Sequence, residues 1–348
     1  MKPEKQRLAI VGLGMALTPH LKSLQELSGR VEIAACWAPS EARRATAKER
    51  HGLPIAASLE AILNDPSIQA VLLLTPPMTH LDLVERCAAA GKHVLLEKPL
   101  DVSVARATSA IDAMERARRR LGVVLQHRFR PASVQLRQMI QSGELGRLVS
   151  GSASIRWWRT PDYYAQPGRG MKNRDGGGVL LTQAIHTLDL FLDLAGPLCS
   201  VMAYAENSGL RTMDTEDMVA AAIKFDNGAI GAIDATTVAY PGFSERIELA
   251  CANATAVLAG ETLEVYFHDG RKIQTGNPAA LTGGSADPMA FDHGAHKELI
   301  TDFLDAIRDN RPPRVDGRSA LHVHKLIEAL LKSAQEQKQI HLDHSDGV

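Results

Sequence analysis

Cysteine is scarce and scattered in this chain. The four residues Cys36, Cys87, Cys199 and Cys251 stand far apart and form no CxxC pair. That spacing argues against a structural zinc site and a disulfide framework, and no metal is expected. Aromatic residues make up only 4% of the chain. No charge sign dominates: 39 Lys and Arg face 40 Asp and Glu, a formal net charge of −1. A generally basic, nucleic-acid-binding surface is therefore not expected. The stretch Met1 to Arg7 is polar and runs straight into an apolar segment, without the apolar core of a signal peptide. No apolar run approaches the ~20 residues of a membrane span. Membrane insertion and secretion are disfavoured on these grounds, and a reducing cytoplasm is the expected compartment. What remains is ordinary globular composition: 348 residues, 45% hydrophobic and 23% charged. That length suggests two domains with room for a substantial core.

The first third alternates apolar strands with amphipathic helices. Strands are read at Arg7–Val11, Val31–Trp37, Ala70–Leu74, His93–Leu96 and Gly122–Gln126. Helices are read at Pro19–Leu27, Glu41–His51, Thr79–Ala90 and Val104–Arg119. Short buried strands separated by helices imply a parallel sheet covered on both faces. After about residue 127 the pattern changes. Helices are expected at Ala132–Ser142 and Val179–Ala195, then alternating strands from Val201 to Phe267, with Asp226-Asn227-Gly228 and Asp269-Gly270 as hairpin signals. Residues 270–292 read as a long loop, and helices close the chain at His296–Asp309 and Ser319–Gln337. The expected fold is α/β: a dinucleotide-binding domain over residues 1–126, and an α+β domain with a largely antiparallel open sheet over 127–348.

The first chemical signal is Val11-Gly12-Leu13-Gly14-Met15-Ala16-Leu17, where a strand, a glycine turn and a helix start coincide. Gly12 permits the tight turn, Gly14 lets the backbone approach a pyrophosphate, and the helix N-terminus offers N–H groups to that anion. Gly12, Leu13, Gly14, Met15 and Ala16 are thus the expected phosphate cradle. Leu17 departs from the small residue of the usual fingerprint. The second strand should end in a carboxylate when a free ribose 2′-OH is bound. Here it ends Trp37-Ala38-Pro39-Ser40, followed by Arg43 and Arg44. Ala38 at the tip, with Ser40 and Arg43 beyond it, leans the reading to NADP over NAD, because a hydroxyl and cations suit a 2′-phosphate. A solvated helix face accounts for the arginines about as well.

The second signal is His93-Val94-Leu95-Leu96-Glu97-Lys98-Pro99, a charged pair at the carboxyl end of an apolar strand. Ligands of open α/β sheets bind at such ends. Pro99 keeps Lys98 out of helical geometry and admits a cis bond. A lysine beside a cationic cofactor ring suits proton transfer.

Four pieces stand in one order: Gly12-x-Gly14 with His20 following, Thr75-Pro76-Pro77-x-x-His80, Glu97-Lys98-Pro99, and Gly176-Gly177-Gly178-Val179-Leu180 leading to His186-x-x-Asp189. With them the sequence resembles the Gfo/Idh/MocA family of NAD(P)-dependent oxidoreductases, the group of the sugar and inositol dehydrogenases and glucose–fructose oxidoreductase. The resemblance covers nearly the whole chain. It implies hydride transfer between NAD(P) and a secondary alcohol or ketone of a sugar, sugar acid or polyol. It also implies homodimers or homotetramers built on the second domain's open sheet. Carried over, Lys98 is the proton-transfer or substrate-orienting residue. Thr75, Pro76, His80, Glu97 and Lys98 lie along the cofactor, with Gln126 and Arg128 near the nicotinamide.

The third signal is the helix after the three glycines. Leu181, Ile185, Leu188 and Leu192 form an apolar stripe, while Thr182, His186, Asp189 and Asp193 recur on another face. A polar face on an apolar helix suits a cavity wall. His186 is expected to share proton handling with Lys98, and Asp189 to orient an imidazole or bind a hydroxyl. Thr182 stands where the family commonly has Asp, which leaves Lys98 and His186 as the catalytic pair.

Ile155-Arg156-Trp157-Trp158-Arg159 and Asp162-Tyr163-Tyr164 concentrate aromatics and arginines in an aromatic-poor chain. Arg156, Trp158 and Tyr164 are therefore candidate sugar-binding residues with Lys98, Thr182, His186 and Asp189. Packing at a subunit contact is the competing explanation. Arg169, Lys172 and Arg174 make the next loop basic, as an anionic substrate or mere solvation would favour. Two alternatives stand beside a dehydrogenase: a reductase of a cyclic carbonyl, and a non-catalytic NAD(P)-sensing regulator on the same fold. The strands from Val201 to Phe267 have two distinguishable faces. One, carrying Val219, Ala221 and Ile223 or their neighbours, is expected to lie open for another subunit.

Overall fold

The computed structural model describes residues 5–276 and 292–342. They form two units, 5–126 with 292–321 and 127–276 with 322–342. In the first unit the order is β1 (Gln6–Val11), α1 (Leu17–Glu26), β2 (Val31–Trp37), α2 (Glu41–His51), α3 (Leu59–Leu63), β3 (Ala70–Leu73), α4 (His80–Ala89), β4 (His93–Glu97), α5 (Val104–Arg116) and β5 (Leu121–Val124). The sheet order is β2-β1-β3-β4-β5, all parallel. Leu8–Val11, Ala70–Leu73 and Val94–Leu96 are wholly buried, as a sheet covered on both faces demands. The strand order reverses between β1 and β3, so the crevice for a ligand opens at their carboxyl ends.

The second unit holds α6 (Pro131–Gln141), β6 (Leu148–Arg156), α7 (Pro161–Tyr164), α8 (Lys172–Asp175), and a π-helical turn at Leu180–Ala184 that runs into α9 (Ile185–Ala195). Strands β7 (Leu198–Glu206), β8 (Met218–Phe225), β9 (Ile230–Thr236), β10 (Arg246–Cys251), β11 (Ala254–Ala259), β12 (Thr262–Phe267) and β13 (Lys272–Thr275) follow. The last elements of the chain are α10 (Gly294–Arg308), α11 (Gly317–Glu336) and β14 (Ile340–His341). The second sheet runs β13-β12-β11-β10-β6-β9-β8-β7-β14 and is antiparallel except where β6 meets β9. Its centre is β6, a strand of alternating serines and small residues. Helix α9 packs on β6 and β10, and α6 on β11 and β12.

Of the two faces that the sequence leaves open, the structure exposes the one carrying the neighbours of Val219, Ala221 and Ile223. Val219, Ala221 and Ile223 are buried, at 3, 8 and 4% exposure. Their neighbours Ala220 and Ala222 are the open ones, in register with Tyr204 and Met202 of β7 and with Asp234 and Ala232 of β9. A period of two makes a one-residue slip exchange the faces.

Residues 292–321 fold with the first unit, where the sequence reading assigned all of 127–348 to the second. The cause is α10, whose apolar face packs on α1 and β5 and whose Phe303 ring lies against Gly122. The loop expected at 270–292 is shortened by β13, and its remainder, 277–291, lies outside the described residues. The stretch Lys172–Ala195 passes as a membrane span by length and composition alone, and 72% of its apolar window is buried in the protein. Core helices meet the same criterion.

Candidate cofactor and substrate sites

Gly12 ends β1 with φ +102°, and a Cβ there would stand 2.5 Å from the Leu74 carbonyl oxygen. No other residue type fits between the ends of β1 and β3. The chain enters α1 at Ala16, and no side chain caps that helix. Its first-turn N–H groups therefore suit an anion, and the cradle fits a pyrophosphate. Leu17, the departure from the fingerprint, turns inward at 7% exposure, while Met15 is 53% exposed. Beside the turn stands Arg43, whose Nη1 lies 3.5 Å from where a Gly14 Cβ would be. Its neighbours have other tasks. Ser40 caps α2 by accepting the Arg43 N–H at 3.3 Å. Arg44 donates to the carbonyls of Ala38 at 2.5 Å and Pro39 at 3.0 Å. The Ala38 side chain is buried.

Beyond β3, Thr75 is half-buried and Pro76 exposed. His80 is wholly buried and is a correction to the sequence reading. Its Nε2 meets the Thr75 carbonyl and its Nδ1 the Pro99 carbonyl, each at 2.9 Å, so it straps two loops together and presents no ring edge to a ligand. Burial pushes its imidazole below the ordinary value against the pull of these carbonyls. At the end of β4, Lys98 is half-buried and precedes Pro99 through a cis bond. Glu97 points back: its Oε1 lies 2.8 Å from His20 Nε2, and its Oε2 accepts the Lys98 backbone N–H at 3.0 Å. Burial pushes the Glu97 carboxyl up, but the His20 hydrogen bond and the positive groups of His20, Lys98 and His296 hold it below the usual range. Gln126, just past β5, is 8% exposed.

In the second unit the glycine run docks on Glu216. A Cβ on Gly178 would fall 1.9 Å from the Glu216 carbonyl oxygen. The Glu216 carboxylate accepts the Gly178 and Leu180 N–H groups at 3.1 and 3.2 Å, capping the helix start, and burial pushes its carboxyl up. The π turn then re-aims the polar stripe; such insertions recur at functional sites. Thr182 donates its hydroxyl to the Gly178 carbonyl at 2.7 Å. His186 stays half-buried, with its ring stacked on His127 at 5.0 Å between centroids.

Asp189 takes another role than the one expected. It is 1% exposed, and both its oxygens accept from Arg128, Oδ2 from Nε at 2.7 Å and Oδ1 from Nη2 at 2.5 Å. Asp193 joins Arg128 at 3.1 Å and Arg137. The buried carboxylate anchors α9 through Arg128.

Arg156 is also corrected. Alternation along β6 turns it to the open sheet face, where it is exposed and pairs with Asp234 at 2.5 Å. The inward arginine is Arg159, 1% exposed, lying over the Trp157 ring at 4.9 Å and donating to Gln183 Oε1 at 3.1 Å. Gln183 in turn donates to the Tyr163 hydroxyl at 2.7 Å. Trp158 packs edge-on against Tyr240, with Arg211 over its ring at 5.1 Å. The Tyr164 hydroxyl meets that of Thr237 at 3.1 Å, and burial pushes its phenol up. The sequence reading missed His127, Gln183, Arg211 and Glu216. No periodicity marks them; only His127, between Gln126 and Arg128, and Gln183, next to Thr182, stand beside residues singled out from the sequence.

Among the described residues, one trio of possible metal-binding groups comes together, His20, Glu97 and His296.

With its anion-ready turn at the switch point of a parallel sheet, the first unit is a dinucleotide-binding domain of the oxidoreductase class. The chain belongs to the Gfo/Idh/MocA family: residues 6–125 match the model described as "Oxidoreductase family, NAD-binding Rossmann fold", and residues 133–257 match its C-terminal domain. It is 25% identical over 359 residues to a myo-inositol 2-dehydrogenase of Thermotoga maritima, covering 98% of this chain and 100% of the relative. It is 28% identical over 323 residues to a D-xylose 1-dehydrogenase (NADP(+)) of Haloferax volcanii, covering 90% and 92%. Among solved structures, the WlbA dehydrogenase of Bordetella pertussis, in complex with NADH and UDP-GlcNAcA, superposes with a TM-score of 0.83 at 27% identity, over 98% of this chain and 99% of that one.

Proposed function

We propose that Lys98 and His186 handle the proton of a hydroxyl group while the chain works as a sugar, sugar-acid or polyol dehydrogenase. The class is that of the family, an NAD(P)-dependent oxidoreductase acting on CH–OH groups. The nicotinamide supplies the hydride acceptor or donor. In the proposed arrangement, Gly12, Leu13, Gly14, Met15 and Ala16 hold the pyrophosphate, and Ala38, Ser40 and Arg43 border the adenosine ribose. Thr75, Pro76, Lys98 and Gln126 line the way to the nicotinamide, with His80 and Glu97 behind them. Thr182, Trp158 and Tyr164 are proposed to shape the substrate side. The observation that carries the reading is Lys98 at the end of β4, half-buried and with its backbone N–H held by the Glu97 carboxylate. A non-catalytic sensor needs no such group.

The test is turnover on a panel of sugars, sugar acids and polyols with NAD and NADP, followed by the absorbance of the reduced nicotinamide. Lys98→Met should keep cofactor binding and lose turnover on the order of 10²–10⁴. Near-wild-type kcat removes Lys98 from the chemistry.

For cofactor choice, Arg43 beside Gly14 and the absence of a carboxylate at the β2 tip support NADP binding at least as well as NAD. A tenfold preference for NAD, ~1.4 kcal/mol, contradicts that. The open sheet face supports a homodimer or homotetramer. Met202 and Tyr204 of β7 and Ile230 of β9 are 47, 69 and 64% exposed, beside a hollow of about 300 Å³ that Tyr204, Ala220 and Asp234 help to line. Light scattering at the mass of one chain, 37.6 kDa, excludes it. Four free cysteines fit a reducing cytoplasm, the compartment proposed.

A further inference from the structure

The first unit holds a buried polar cluster that a phosphate turn does not require. His20 of α1 is wholly buried, His296 of α10 is 3% exposed, and Glu97 ends β4 between them. One ligating atom from each lies within 4.8 Å of the others, and the two imidazoles meet edge-on at 5.2 Å. Such a trio meets the spacing of a divalent-metal site. Both Glu97 oxygens, however, are already engaged, one by His20 and one by the Lys98 N–H. A cation among the three would have to displace the His20–Glu97 hydrogen bond, while the Lys98 N–H bond to the other oxygen could remain.

The geometry of the backbone shows what the bonds achieve. The β4–β5 ladder ends at the pair Glu97 and Val124, so the Lys98 N–H falls just past the sheet. The Glu97 carboxylate takes that N–H, and His20, reaching from the helix that starts at the cofactor turn, fixes the carboxylate. The charged or titratable groups facing Glu97 are His20 from α1, His296 from α10 and Lys98 on its own turn. We propose that Glu97, clamped by His20, is a positioning residue for Lys98: it fixes the lysine's backbone at the end of β4 and keeps a negative charge on the residue next to it. This rests on the reading of Lys98 as the proton-handling group. The resemblance placed Glu97 along the cofactor, whereas here it works on the residue next to it.

The test follows Lys98 directly. Pulse acetylation of the full-length protein with acetic anhydride, read site by site by mass spectrometry across pH, gives the pH midpoint at which Lys98 becomes reactive. Glu97→Gln removes the charge and keeps an acceptor oxygen. Its Lys98 midpoint should fall by about one unit, which is about tenfold faster labelling at a fixed pH below the midpoint. A midpoint within about 0.3 unit of wild type, in a variant of native circular dichroism, overturns the proposal. Glu97→Asp keeps the charge and shortens its reach. Its midpoint should stay with wild type while kcat, on the panel substrate that wild type turns over fastest, falls about tenfold with KM and NAD affinity little changed. Wild-type kcat in that variant also overturns the proposal, and it decides the case should the Gln variant not fold. Should Lys98→Met retain turnover, the reading of Lys98 as a proton carrier fails, and the labelling midpoints still judge the charge that Glu97 sets beside it.

Discussion

Replacing Asp189 by Asn should cost stability, and the structure sets its size. The four charges Arg128, Arg137, Asp189 and Asp193 balance one another, and Arg128 and Asp189 are 7 and 1% exposed at the side chain. Removing one partner of a buried pair leaves the other uncompensated, at ~3–5 kcal/mol. Arg128 keeps Asp193 at 3.1 Å, which places this case at the lower end, about 3 kcal/mol. For a unit of this size each kcal/mol moves Tm by ~2–4 °C, so a drop of roughly 6–12 °C is expected by calorimetry or circular dichroism. Replacing the pair together, Arg128→Met with Asp189→Leu, should recover part of the loss, since Asp193 retains Arg137. Activity per folded molecule should fall much less than with Lys98→Met. A variant that melts within ~2 °C of wild type but has lost turnover would refute the reasoning and return Asp189 to the substrate.

Two further outcomes follow from buried titratable groups. Burial, with Arg119 and Arg120 nearby, pushes His93 down to about 4, and its Nδ1 accepts the Arg120 N–H at 2.9 Å. Its folded value lies below that of the unfolded chain, so the stability it contributes is present above pH ~6.5 and is lost as pH falls toward 4. For this half-buried ring, solvent screening limits the effect to ~1–2 kcal/mol. His93→Asn, which keeps an acceptor, should therefore lose less Tm than wild type between pH 7 and pH 5, and equal losses refute the assignment. Burial pushes the thiols of Cys36 and Cys87 up to about 12, and Cys251 is 8% exposed. A native thiol titration with an aromatic disulfide reagent at pH 8 should thus count one fast thiol at most, Cys199, against four after denaturation. Two or more fast thiols contradict the packing.

The sequence by itself determined the alternation of strand and helix in the first unit, the glycine turn, the lysine at a strand end and the family. These are local facts: a buried parallel strand is a continuous apolar run, and a turn with φ +102° against a carbonyl admits only glycine. It also gave most strands of the second unit from their period of two. Tertiary structure alone decided which side of each strand faces the helices. Alternation supplies two faces and no label for them, so only the fold shows that Ala220 and Arg156 lie on the open face while Val219 is buried. It alone decided that residues 292–321 join the first unit, because α10 finds its apolar partner in α1, far away in the chain. And it alone separated polar residues that anchor from those that remain half-open. On one helix Asp189 and His186 look equivalent in sequence, but Arg128, 61 positions away, takes both oxygens of the first. Pairing across such separations leaves no periodic trace. A carboxylate's partner, and with it the carboxylate's task, is fixed only once the chain has folded.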